Sequence, residues 1–189
     1  GFSSTTWDGF MGKADQASVS EEILTLTSSN TKWDRSTPLG PFLYKTISGN
    51  FTVEVTISDL SGFKERKANG ANDLGLMVRA EDGNGLLQSS VMLGWGIGNM
   101  VTNIASRGRI QTNNSAGFNF HKHLQIERDG NLFYLRASTD GKTWTELPGS
   151  PILRTDLDKK AVQTGLFHAT YGEQRGYGSF SNFTIIRQK

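Results

Sequence analysis

The chain has 189 residues and carries 20 lysines and arginines against 18 aspartates and glutamates, which leaves a formal net charge of +2 at pH 7. Proteins that track a phosphate backbone need clustered cations, so this near balance without a basic run argues against a nucleic-acid partner. The absence of cysteine excludes disulfides, thiol catalysis and Cys-ligated zinc.

The length and the apolar pattern indicate one domain without a membrane span. A chain of 189 residues suits a single domain, so we expect residues 1–189 to form one unit. No apolar stretch approaches the roughly 18 residues that a transmembrane helix requires. Twenty-two glycines against four prolines indicate many tight turns. The sequence gives no indication of oligomeric state.

The first clear strands form a hairpin near residue 50. Residues 51–58 alternate apolar and polar side chains without interruption, which is the period-two pattern of a strand with one buried face. A preceding strand is predicted over residues 41–47. The turn between the two strands is Ser48-Gly49-Asn50.

Strands and turns continue to the end of the chain. The clearest hairpin joins residues 124–128 to 132–136 across Asp129-Gly130-Asn131, because an Asp-Gly pair tolerates the positive φ angles of tight turns. The other predicted strands are 73–80, 86–95, 162–169 and 179–187. Residues 61–72 and 149–160 are predicted to be surface loops. About ten to twelve short strands without a convincing amphipathic helix indicate a sandwich or a barrel.

Several of these strands resemble a known superfamily. Residues 49–55 (G-N-F-T-V-E-V) resemble the opening strand of concanavalin A-like sandwich domains, and residues 73–79 (D-L-G-L-M-V-R) resemble another strand of the same group. The later order of R-D-G at 128–130, S-T-D-G-K-T-W at 138–144, G-L-F at 165–167 and F-S-N-F-T-I at 180–185 is similar to bacterial domains of unknown function found in carbohydrate-utilisation proteins. Most of residues 40–187 therefore resembles the concanavalin A-like lectin/glucanase superfamily.

The resemblance implies an all-β fold, a two-sheet antiparallel jelly-roll sandwich of the concanavalin A-like type. Because such sandwiches include lectins, glucanases, xylosidase accessory domains and adhesins, the fold alone does not assign a function. We expect non-catalytic binding of a glycan ligand through a concave sheet face and its rim loops. The expected setting is extracytoplasmic and bacterial, periplasmic or at the cell surface. Two alternatives stay open: a glycoside hydrolase acting on a polysaccharide or oligosaccharide, and a structural accessory domain of a larger assembly.

The acidic residues do not form a recognisable catalytic pattern. Glycoside hydrolysis needs two carboxylates on one surface, roughly 5 to 10 Å apart. The E-x-D-x-x-E strand of the superfamily's glucanases is absent, and the outward neighbours of Glu54 are Thr52 and Thr56. Glu127 and Asp129 lie two residues apart, but Asp129 belongs to the predicted hairpin turn. We therefore predict no catalytic residue, unless acids from separate strands converge.

Sugar recognition needs aromatic rings that stack on pyranose C–H groups and planar polar side chains that bind hydroxyls. The candidate ligand-binding residues are Trp33, Arg79, Gln88, Trp95, His168, Tyr171, Arg175 and Tyr177. Arg79 is expected to face away from the core, opposite Leu76 and Val78, and His168 is expected to do the same, opposite Phe167. Core packing is the alternative for the two tryptophans. Residues 171–178 combine two tyrosines, an arginine and three glycines, a composition typical of a binding loop.

No cofactor is predicted, and two segments are candidates for a bound ion. His121-Lys122-His123 places two imidazoles at i and i+2 on one strand face, a spacing that suits a metal. An exposed strand start is the commoner reason for such a pair. Asp156-Leu157-Asp158 is a candidate source of oxygen ligands for calcium.

Overall fold

The structure is a computed structural model that describes residues 2, 6–12, 16–29, 33, 40–59, 72–81, 89–96, 99–106, 109–118, 120–170 and 175–188. The strands are β1 (Gly9–Met11), β2 (Ala17–Ser20), β3 (Ile23–Ser28), β4 (Phe42–Ile47), β5 (Phe51–Ile57), β6 (Asn72–Ala80), β7 (Ser89–Gly96), β8 (Asn99–Ser106), β9 (Arg109–Ser115), β10 (His123–Asp129), β11 (Leu132–Ser138), β12 (Thr145–Glu146), β13 (Ile152–Leu153), β14 (Val162–Thr170) and β15 (Gly176–Arg187). In the described part of the chain, no helix is long and apolar enough to cross a membrane.

The strands form two antiparallel sheets. Sheet A has seven strands in the order β1-β4-β14-β6-β7-β8-β9. Sheet B has eight strands, in the order β12-β11-β10-β5-β15-β3-β2 with β13 paired to β11. The fold is a two-sheet jelly-roll sandwich, which confirms the predicted fold class.

The main core lies between the two sheets and follows the alternation of the strands. The buried side chains of β5 are Phe51, Val53, Val55, Thr56 and Ile57. From sheet A, Leu74, Leu76 and Val78 of β6 pack into the same cluster. Each fully buried Val, Leu, Ile or Phe contributes about 1.5–3 kcal/mol, so this layer supplies most of the apolar burial of the fold.

The hairpin predicted at residues 129–131 is confirmed. Asp129 pairs with Leu132 at the end of the β10–β11 ladder, and Gly130 has a φ of 60°. The side chain of Asn50 links this turn to the β4–β5 loop. Its Oδ1 accepts a hydrogen bond from the Gly130 N–H at 2.8 Å, and its Nδ2 donates to Asp129 Oδ1 at 3.0 Å.

Residues 149–160, predicted to form a surface loop, lie mostly at the surface but are fastened to the sandwich. This segment contains β13 and a 3-10 turn at Thr155–Leu157. The buried guanidinium of Arg128 donates to the carbonyl oxygens of Gly130, Leu157 and Lys160 at 2.7–3.0 Å. An arginine inside the strand pattern therefore holds the segment against the sandwich. Of the other predicted loop, 61–72, all but Asn72 lies outside the described residues.

Candidate ligand-binding site

Sheet A is buried on both sides over its central strands. All nine residues of β14 are buried. Val162 and Leu166 belong to the core between the sheets, whereas Phe167 and Ala169 belong to a second apolar cluster. Successive side chains of a strand point to opposite faces. The second cluster therefore lies on the side of sheet A that points away from sheet B, here called the outer face.

Aromatic and thioether side chains line the outer face. The cluster consists of Trp33, Phe42, Met77, Met92, Phe167 and Ala169, with Met11, Tyr44 and Ile110 packed against it. The rings of Trp33 and Phe42 meet edge to face with centroids 5.8 Å apart, and Phe42 stacks on Tyr44 at 5.3 Å. Both geometries are favourable for aromatic pairs. The result is a continuous aromatic wall above β4.

Beside this aromatic wall, β14 has a glycine on the outer face. Gly165 of β14 lies between Met77 of β6 and Tyr44 of β4 in the register. A Cβ added at Gly165 would lie 1.9 Å from the carbonyl oxygen of Leu43. The close backbone of β4 therefore leaves no room for a side chain at this position.

Arg79 places a positive charge among these apolar groups. Its guanidinium carbon lies 5.9 Å from the centroid of the Trp33 ring, and its Nη1 lies 3.1 Å from Met11 Sδ. The side chain is 4% exposed. Burial lowers the pKa of Arg79, and Tyr44 partly opposes that shift. An arginine stays protonated in proteins, so the outer face holds a desolvated cation against an aromatic ring.

Three buried polar atoms on this face lack hydrogen-bond partners within the described residues: Trp33 Nε1, Ser90 Oγ and Gln163 Oε1. The register places Gln163, Arg79 and Ser90 at the same level of three adjacent strands, β14, β6 and β7. Buried polar groups are almost always hydrogen-bonded, and leaving one unsatisfied costs about 1–3 kcal/mol. These atoms are one donor, one acceptor and one hydroxyl that can act as either.

The structure brings two of the predicted site residues together. Arg79 faces outward, opposite Leu76 and Val78, as expected, and Trp33 lies over it. Trp95 instead packs between the sheets, where its Nε1 donates to the carbonyl oxygen of His121 at 3.1 Å. Core packing, the alternative for both tryptophans, holds for Trp95 between the sheets and also for Trp33, which is 2% exposed in the second apolar cluster.

The predicted orientation of His168 was wrong. Its ring is fully buried between the sheets, and its Nδ1 lies 2.7 Å from Ser28 Oγ on β3 of sheet B. Phe167 takes the outward position because a second apolar cluster covers that face. Burial of the imidazole lowers its pKa to about 3.

The remaining predicted site residues lie apart from this cluster or outside the described residues. Tyr177 is 53% exposed on β15 of sheet B, where it pairs with Thr27. Arg175 is exposed just before that strand. Gln88 and Tyr171 lie outside the described residues.

Phe42, Tyr44, Ser90 and Gln163 were not among the site residues predicted from the sequence. A signal was present in β4 and β14, because both strands carry apolar side chains in both phases of the alternation. Such strands are typically buried on two faces. This pattern distinguishes them from β5 and shows which sheet has a covered outer face.

Protein groups contact side chains of both candidate ion sites. The carboxylate of Asp156 accepts hydrogen bonds from Nε of Arg154 at 2.9 Å and from its Nη2 at 2.8 Å. This arginine lowers the pKa of the carboxyl. A carboxylate already neutralised in this way is a poor calcium ligand. His123 Nδ1 lies 2.9 Å from Thr56 Oγ1, while the His121 ring contacts Phe118. Among the described residues, no group of three or more His, Asp or Glu side chains is arranged to hold a metal.

No protein-family model matches the chain, and no curated protein matches it. Its fold is similar to a functionally unknown protein from Saccharomyces cerevisiae, with a TM-score of 0.71 and 17% identity over 96% of each chain. A xylan β-1,4-xylosidase from Bacillus halodurans C-125 gives a TM-score of 0.71 at 12% identity, over 93% of this chain and 35% of that one. A non-specific endo-β-1,3(4)-glucanase of family GH16 gives 0.54 at 10% identity, over 92% of this chain and 75% of that one.

These similarities establish the fold. The chain is a jelly-roll sandwich of the kind found in glycoside hydrolase proteins, and it spans about a third of the xylosidase chain. At 10–17% identity they assign no activity or ligand to this chain.

Proposed function

We propose that this chain is a non-catalytic glycan-binding domain whose site is the outer face of sheet A around Trp33 and Arg79. The observation that carries the proposal is the set of buried polar atoms without partners among the described residues, at Trp33, Ser90 and Gln163. They lie beside an aromatic cluster and a buried cation. A ligand that supplies both donors and acceptors would satisfy them.

A sugar fits this combination of groups. Its C–H faces pack on aromatic rings, and its hydroxyls donate and accept hydrogen bonds. Ligand sites generally combine an apolar lining with a few placed polar groups. The proposal gains support from similar solved structures, which include a xylan β-1,4-xylosidase and an endo-β-1,3(4)-glucanase.

The placement of carboxylates favours binding over hydrolysis. Among the outward positions of sheet A that the structure describes, Asp73 alone carries a carboxylate, and it lies at the opposite end of β6 from Arg79. Glu54 and Glu127 lie on the outer face of sheet B, where Gln125 and Arg136 bond to them at 2.7 and 2.5 Å. The described part of the face therefore lacks the pair that a glycosidase uses.

Gln163→Met tests the site while sparing the fold. Removing a buried acceptor without a partner is expected to leave the free energy of unfolding unchanged or slightly raised. If the acceptor binds a sugar hydroxyl, the same change weakens glycan binding about tenfold, since one hydrogen bond is worth about 1–1.5 kcal/mol. The measurements are urea unfolding and a glycan-array screen of the wild type and the variant.

Trp33→Phe provides a second test, because it removes the indole N–H and keeps an aromatic ring beside Phe42. Tyr177→Ala, on sheet B, is the matched control and should bind like the wild type. Binding without release of product from the same glycans supports the proposal. An array on which the wild type binds nothing refutes it and favours a structural accessory role. Release of product would favour the hydrolase.

The proposal includes an extracytoplasmic bacterial setting, where a glycan-binding domain would meet polysaccharides. Fractionation of the native host, with antibody detection of the chain in cytoplasmic, periplasmic and surface fractions, tests this part. A purely cytoplasmic signal would contradict it without bearing on the binding site.

A further inference from the structure

The strands at the edges of the two sheets differ in length. Within the described part of the chain, β9 pairs with β8 alone and forms one edge of sheet A. The other edge strands are short: β1 has three residues, β2 has four, and β12 and β13 have two each. β9 has seven residues, and all of them pair with β8 without a register shift. A regular edge strand of this length is a template on which a further strand can pair.

β9 also lacks the residues by which proteins usually prevent such pairing. Proline, lysine, inward-pointing charges and bulges protect the edges of sheets. The strand reads R-I-Q-T-N-N-S, which contains no proline or lysine, and its one charged residue is Arg109 at the first position. The side chains of Arg109, Gln111 and Thr112 are exposed. In an antiparallel ladder, alternate residues direct their backbone N–H and C=O groups to opposite sides, so about three residues of β9 direct theirs away from β8.

We propose that β9 pairs antiparallel with β9 of a second copy of this chain, about a two-fold axis that passes through Thr112. Opposed residues in an antiparallel pair have side chains on the same face of the sheet, so a symmetric register has to be centred on one residue. Of the possible centres, Thr112 alone pairs all seven residues of both strands. The two seven-stranded sheets then join into one continuous sheet across an isologous interface.

The strand is self-complementary in this register, which favours a second copy over an unrelated strand. Arg109 lies opposite Ser115 of the partner subunit, so no like charges are opposed. Gln111 lies opposite Asn113 of the partner subunit, and side-chain amides both donate and accept hydrogen bonds. Thr112 lies opposite itself, and threonine pairs are favourable cross-strand neighbours. The backbone groups at the edge of β9 therefore gain partners without an electrostatic penalty.

Sedimentation velocity of the 189-residue chain, between about 1 and about 200 µM, tests the proposal because this range covers micromolar dissociation constants. The wild type should shift from monomer to dimer. Thr112→Lys places two ammonium groups opposite each other at the axis and should raise the dissociation constant about tenfold or more. Thr112→Glu should do the same, whereas an equimolar mixture of the two variants should form a heterodimer, detected by native mass spectrometry. The matched control is Ser18→Lys on the edge strand β2, an exposed position that should leave dimer formation unchanged.

Each outcome bears on the pairing of β9. A wild type that sediments as a monomer over the whole range overturns the proposal. A dimer that survives in Thr112→Lys also overturns it, because that dimer uses another surface. If the variants do not fold, amide hydrogen exchange of the wild type replaces them. Exchange within residues 110–114 should slow as the protein concentration rises, while exchange in β2 stays constant; exchange in β9 that is independent of concentration would overturn the proposal.

Discussion

Lowering the pH from 7 to 5 should destabilise this protein through His168. Burial lowers the pKa of its imidazole from 6.5 to about 3. The unfolded chain therefore binds a proton as the pH falls through 6.5, whereas the folded protein does not until about pH 3. A state that binds more protons gains stability as pH falls, so here the unfolded state gains. The loss of folding stability begins near pH 6.5 and grows by up to about 1.4 kcal/mol per pH unit.

Between pH 7 and pH 5 this amounts to about 2 kcal/mol. The assay is urea unfolding at pH 7, 6 and 5, followed by tryptophan fluorescence. The carboxyls with lowered pKa values, such as Glu127 and Asp156, lose their stabilising contribution at lower pH, so this window isolates histidines. His168→Gln should flatten most of the dependence. His123→Gln is the control, because His123 is partly exposed and its smaller effect is screened by solvent.

A parallel loss of stability in wild type and His168→Gln between pH 7 and 5 would show that His168 is not the source of the pH dependence. If the variant does not fold, NMR titration of the wild-type imidazole replaces it. We expect no change in the His168 ring resonances down to pH 5. A midpoint near 6.5 would contradict it.

Three further predictions concern the stability of the fold and its response to calcium. Gly165→Ala should lower the free energy of unfolding in urea by more than about 2 kcal/mol, because the added Cβ would lie 1.9 Å from the carbonyl oxygen of Leu43. The control is Gly117→Ala, which has open space at φ 85° and should cost about 1 kcal/mol. Equal costs for the two variants would contradict this prediction. Arg128→Met should lower the free energy of unfolding by about 3 kcal/mol in the same assay, since three carbonyl oxygens lose their donors. Protease cleavage within residues 149–160 should also become faster. A variant as stable as the wild type would show that the arginine does not hold this segment. Adding calcium or a chelator should leave Tm unchanged, because Arg154 already neutralises Asp156; a rise in Tm with calcium would overturn that assignment.

The sequence predicts correctly the strands that have one apolar face and one polar face. β5 alternates strictly, and its apolar side chains are buried in the order expected. The Asp129-Gly130 turn follows from backbone chemistry that is local to two residues. Arg79 faces outward because Leu76, Val78 and Ala80 all require the core side of β6.

Alternation fails where both faces of a strand are buried. In β14, Phe167 and His168 are both buried, so their order along the chain does not show which one faces the other sheet. The answer depends on Ser28 in β3, 140 residues away, which offers a hydrogen bond to the imidazole. The grouping of Trp33, Arg79, Ser90 and Gln163 likewise depends on the strand order β14-β6-β7. No local pattern encodes that order.

The most direct test of the proposed site compares the affinity of one array-selected glycan for three proteins by isothermal titration. The wild type sets the reference, Gln163→Met removes a buried acceptor on sheet A, and Tyr177→Ala removes an exposed aromatic ring on sheet B. We predict binding about tenfold weaker for Gln163→Met, at unchanged folding stability, and unchanged binding for Tyr177→Ala. Loss of binding in Tyr177→Ala with full affinity in Gln163→Met would place the site on sheet B and overturn the proposed site on sheet A.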